Sequence, residues 1–122
     1  MRNTKLDRLK FARIDKADKT ALEEFKKRVS KEFPYAKFIL FGSKAKNSAD
    51  KFSDIDVLVI LKKVTTKIEE KIFEIGFEIG LKQDVVFGIV VEEERFLNSS
   101  LAKAMPFYKN VYREGIEIWG KK

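Results

Sequence analysis

The sequence predicts an α/β (α+β) domain: a mixed sheet of about four strands with helices packed on it. Three observations carry this. Runs rich in Val, Ile, Leu and Phe at 35–41, 54–61 and 84–91 have strand length. Segments with apolar residues at helical spacing, near 18–32 and 66–81, separate them. The length of 122 residues suits one two-layer core, so residues 1–122 read as a single domain.

Residues 1–13 are polar and basic with a few apolar positions (Leu6, Leu9, Phe11), and no structure is assigned to them. A helix is expected over about 18–32. Thr20 with Glu23 three positions on reads as a capping box. Leu22, Phe25, Val29 and Phe33 form its apolar stripe, and Pro34 ends it. YAKFILF, 35–41, reads as a strand, broken by Gly42-Ser43 with a short helical turn after them. The strand over 54–61 is apolar on both faces beyond Asp56, which argues for a central position.

Thr65 or Thr66 caps a helix running to about Leu81. Ile68, Ile72, Ile75 and Ile79 make one stripe, while Phe73, Phe77 and Leu81 fall on the opposite side. A helix apolar on two sides must bury both. One side covers the sheet. The other either lies under the chain's own terminal segments or docks a second chain, including another copy of itself through Phe73, Phe77 and Leu81. DVVFGIVV, 84–91, is the third strand. Residues 92–104 are partly helical, Pro106 opens a helix over 106–114 closed by Gly115, and 116–119 form a short edge strand.

Composition removes several chemistries. With no Cys there is no disulfide and no thiolate metal site; with no His there is no imidazole base, triad or zinc ligand. Acid–base and metal chemistry must use carboxylates, Lys, Tyr or water. The net charge of +7 can mean a nucleic acid, a nucleotide or only solubility; because the Lys and Arg are spread among acidic residues, solvated faces are the plainer reading. The 37% charged fraction, with a single Gln, suits a heat-adapted protein. No apolar run approaches the roughly 20 residues of a membrane span. The N-terminus lacks the apolar run of a signal peptide, so the expected location is the cytoplasm.

Asp54 and Asp56 open a strand on one face, about 7 Å apart along it. If their oxygens converge to about 5 Å, they repel by roughly 3 kcal/mol at an effective dielectric near 20. A divalent cation reverses that sign, and carboxylate oxygens suit Mg²⁺. Alternatively, both aspartates cap a turn, since Ser53-Asp54 is turn-like. Gly42-Ser43, directly after a strand, allow close approach of an anion to backbone N–H groups and a hydroxyl, or simply end the strand.

Taken together, Gly42-Ser43, ten residues, then Asp54-x-Asp56 between two apolar strands resembles the minimal nucleotidyltransferases of the polymerase-beta nucleotidyltransferase superfamily. The likeness runs over about 20–119. It includes Ala45, Ala49, Ser53 to Val57, and Phe107 to Val111 with Glu114-Gly115. It departs where the family often has Arg after Gly-Ser and Gly near Asn47. Here Lys44 and Lys46 bring the charge, and Lys grips phosphate as a point charge rather than a fork.

The resemblance implies the polymerase-beta-like fold and transfer of NMP, with ATP the expected NTP, to a hydroxyl. It implies one or two Mg²⁺ on Asp54 and Asp56, with Gly42, Ser43 and Lys44 at the phosphates. It also implies a third carboxylate on a later strand, for which Asp84 is the candidate, as a metal ligand that helps deprotonate the acceptor. Chains of this size in the family are commonly antitoxins paired with a HEPN-family protein, which implies a tyrosine of that ribonuclease as acceptor rather than nucleic acid. A transferase for small molecules and an inactive, binding-only antitoxin are the alternatives. Tyr108, Tyr112 and Trp119 read as core or rim residues.

Overall fold

This computed structural model describes residues 14–45 and 54–118. The expectations for residues 1–13, Lys46, Asn47, Ala49, Ser53 and Trp119 lie outside the described residues. The elements are α1 (Lys16–Glu32), β1 (Lys37–Phe41), a 3₁₀ turn (Ser43–Ala45), β2 (Ile55–Leu61) and α2 (Thr66–Gln83). Then come β3 (Phe87–Glu93), α3 (Glu94–Leu97), α4 (Ser100–Ala104), α5 (Pro106–Glu114) and β4 (Ile116–Glu117). The four strands form one mixed sheet in the order β3-β2-β1-β4. β1 is antiparallel to β2 and β4, and β2 is parallel to β3.

Helix α1 starts earlier than the apolar periodicity suggests. Asp15 is its N-cap and accepts a hydrogen bond from the Asp18 N–H at 2.9 Å. Thr20 therefore lies inside the helix and is not its cap. For α2 the cap is Thr65, whose hydroxyl accepts from the Ile68 N–H at 3.2 Å. Pro106 occupies the first turn of α5, where a missing N–H costs nothing, and Gly115 follows as its C-cap.

Alternation along the strands sorts the core into two layers. Ile55, Val57, Val59, Leu61, Phe38 and Leu40 face α1 and α2, meeting Leu22, Phe25, Val29, Ile72, Ile75 and Ile79. Ile39, Leu58 and Ile60 face the other way, against Leu97, Ala102, Tyr108 and Val111 of the C-terminal helices. β2 is buried along nearly its whole length and sits centrally, as its composition predicts. Ion pairs Arg28–Glu78 and Lys82–Glu24, both 2.7 Å, bridge the antiparallel α1 and α2. Among the described residues no helix is long and apolar enough to cross a membrane.

The third strand differs from expectation. It begins at Phe87 and not at residue 84, because α2 continues to Gln83 and Asp84 ends it in the left-handed conformation, φ 60°. The Val85 N–H then donates to the Gly80 carbonyl at 3.1 Å, which belongs to a helix end and not to a strand.

Candidate active site

The site forms where three strands meet the open end of the second sheet face. β1 ends at Phe41, and Gly42 turns the chain with φ 75°, a conformation that L side chains rarely adopt. The chain then closes a 3₁₀ turn in which the Ala45 N–H donates to the Gly42 carbonyl at 3.1 Å. Ser43, half-buried, opens this turn. β2 begins beside it, tied to the chain before β3 by the Ile55 N–H donating to the Val86 carbonyl at 2.9 Å.

Register then places Asp56 opposite Phe41 of β1 and Gly88 of β3. Its carboxylate lies between two glycines. A Cβ on Gly42 would stand 2.3 Å from Asp56 Oδ2, and one on Gly88 2.4 Å from Asp56 Oδ1. Asp54, just ahead of β2, is exposed, while Asp56 is half-buried. Burial pushes the Asp56 carboxyl above its ordinary pKa, and the negative charge of Asp54 pushes the same way. A carboxylate held half out of water beside a second one is the electrostatic setting that a cation relieves.

Two expected site residues lie elsewhere. Lys44 is 1% exposed, and its ammonium donates to Asp18 Oδ2 at 2.5 Å, so it points into the protein rather than at a phosphate. The pair ties the 3₁₀ turn to the first turn of α1. Asp84 caps α2 and lines a groove with Phe73, Phe77, Leu81 and Val86 on the α2 side of the sheet edge. Asp56 belongs to the opposite face. Among the described residues no three His, Cys, Asp or Glu side chains gather as a metal site.

The sequence reading missed two residues here. Asp18 lies near a helix start, and nothing in its local sequence shows that it meets Lys44. Gly88 carried a signal: a glycine in the interior of an apolar strand often marks a close approach.

Residues 22–111 match the profile of the nucleotidyltransferase domain. A Methanocaldococcus jannaschii protein, named as a candidate protein adenylyltransferase, is 31% identical over 100 residues, covering 80% of this chain and 94% of that protein. Two crystal structures of mutants of the MntA–HpeT toxin–antitoxin complex share the fold. One, a Tyr-to-Ala mutant, gives a TM-score of 0.53 at 20% identity, covering 82% of this chain and 73% of that one. The other, with two Asp-to-Glu changes, gives 0.52 at 17% identity, covering 78% and 70%.

Proposed function

Because the chain belongs to the nucleotidyltransferase domain family, we propose that it transfers AMP from ATP to a hydroxyl on a protein. The acceptor in this reading is a tyrosine of a HEPN-type toxin, and the chain acts as its antitoxin. One observation carries the reading: Asp56 is fixed between Gly42 and Gly88 at the start of β2, beside Asp54 and the Gly42-Ser43 turn. The relative named as a candidate protein adenylyltransferase supports a protein acceptor. The toxin–antitoxin neighbours support the pairing.

The donor set fits a divalent cation of the Mg²⁺ type. Two carboxylates, one of them partly desolvated, match an ion that takes its remaining ligands from phosphate oxygens and water. When bound, such an ion supplies neutralisation of the phosphate charge. Asp54 and Asp56 would hold it. Gly42 lets backbone approach the triphosphate, and the Ser43 hydroxyl with the N–H groups of its turn donates to phosphate oxygens. Lys44 keeps that turn in place from inside, through Asp18. The acceptor hydroxyl gives its proton to solvent water as its oxygen bonds to the α-phosphorus and the bond to pyrophosphate breaks; the protein's share is position and charge.

The protein partner has a natural surface. Phe77 and Leu81 are 67% and 71% exposed on the outer side of α2, with Phe73 and Val86 beside them. Incubation with α-labelled ATP, Mg²⁺ and a HEPN partner tests the reading. Label is expected on the partner's tyrosine and absent with Asp56→Asn, whose circular dichroism stays native. Retained labelling in that variant overturns the assignment. A second reading, inhibition by contact alone, draws on one observation: no third carboxylate joins the pair among the described residues. Tight binding without label, unchanged in Asp54→Asn/Asp56→Asn, selects it. Label on an added small-molecule alcohol would redirect the acceptor class.

A further inference from the structure

Gly88 sits in the interior of β3 with ordinary extended backbone, because Gly42 is the glycine with positive φ among the described residues. Any residue could adopt its conformation. Glycine in a strand interior weakens the strand and packs nothing. Its neighbours Phe87, Ile89, Val90 and Val91 are the residue types strands favour. The space above Gly88 holds the Asp56 carboxylate, and Gly42 hems the same carboxylate from the other side. The carboxylate's other oxygen already occupies the space that a Cβ on Gly42 would need.

We infer that Gly88 is a positioning residue: with Gly42 it makes a two-glycine slot that sets the orientation of Asp56 for binding a divalent cation. A single methyl at 88 closes the slot from the β3 side and turns the carboxylate out of its orientation between the two glycines. Gly88 touches neither nucleotide nor acceptor; it acts through Asp56. The consequence for catalysis rests on the transferase reading, whereas the slot itself does not.

A four-protein cycle tests it: the wild type, Gly88→Ala, Asp56→Ala and the double variant, each unfolded in urea. Gly88→Ala should lower the midpoint when Asp56 is present. It should leave the midpoint unchanged or raise it when Asp56 is Ala, since Ala on extended backbone restricts the unfolded chain. An equal effect in both backgrounds overturns the inference. If Gly88→Ala does not fold, a folded double variant supports the slot and an unfolded one refutes it. Val90→Ala, two residues along the same strand, should act equally in both backgrounds.

Mn²⁺ alone, followed by electron paramagnetic resonance, gives a second readout. Affinity should fall about tenfold or more in Gly88→Ala, as for loss of other groups that orient metal ligands; unchanged affinity counts against the slot. Absence of AMP transfer in the wild type would remove the transferase reading, while the urea cycle would still decide the role of Gly88.

Discussion

Asp56 and Asp84 show how differently one residue type is used within three residues of a strand start. Asp56 is kept partly out of water next to another carboxylate, so its charged form is costly in the folded state. Its folded pKa lies above the unfolded one. The protonated form therefore favours folding below the unfolded pKa, and that advantage is lost as pH rises through the folded value. Asp56→Asn should raise the melting temperature at pH 7, by about 4 °C per kcal/mol relieved. Near pH 3 the gain should shrink, because the carboxyl is then neutral in both states; a pH series of calorimetric melts checks this. Asp84 instead caps a helix at φ 60°. Asp84→Gly should stabilise by about 1 kcal/mol or less in urea titrations, because glycine reaches that conformation without a Cβ clash. Asp84→Asn should leave nucleotide transfer unchanged, whereas a large loss would restore Asp84 to the chemistry.

Between elements, the buried Lys44–Asp18 pair does what no local propensity does: it clamps the turn after β1 to the start of α1. Removing Lys44 takes the cation away from the buried Asp18 carboxylate. Lys44→Met should cost about 3–5 kcal/mol in urea unfolding, and Lys44→Met/Asp18→Leu should recover much of it. A double variant that refolds yet transfers poorly would show the clamp serving the turn's position rather than the fold. Helix α2 offers the complementary contrast. Ile72 and Ile75 are fully buried against the sheet, so Ile75→Ala should cost about 2–5 kcal/mol. Phe77→Lys, on the outer side, should move the same midpoint by about 0.5 kcal/mol or less.

For the whole molecule, the two sheet faces divide the labour. One is sealed by α1 and α2; the other is sealed by the C-terminal helices only past Leu58, leaving Asp56 at its open end. The chain thus exposes a charged site on one face and an apolar helix surface on the other. Phe77→Lys/Leu81→Glu should weaken a complex with a toxin partner at least about tenfold, the loss of roughly 1.4 kcal/mol, read by calorimetric titration. The melting temperature of the free chain should hold. Unaltered affinity would move the partner to another surface. The surface ion pairs between α1 and α2 add little to this balance, about 0–1 kcal/mol each.

The amino-acid sequence by itself determined the type and order of the main elements, the central place of the strand expected over 54–61, a threonine cap at 65 or 66, Pro106 in the first turn of the last helix, and the association of Gly42-Ser43 with Asp54 and Asp56. These depend on spacing within a few residues, where apolar period and turn chemistry speak directly. Only the tertiary structure decided that Lys44 turns inward to Asp18, that Asp84 ends a helix instead of opening a strand, and that Gly88 lies beside Asp56. Each of these depends on groups 26 to 32 positions apart, or on which way an ambiguous apolar run breaks. Parallel register and the burial of a charge are properties of the assembled sheet, so no local pattern can carry them.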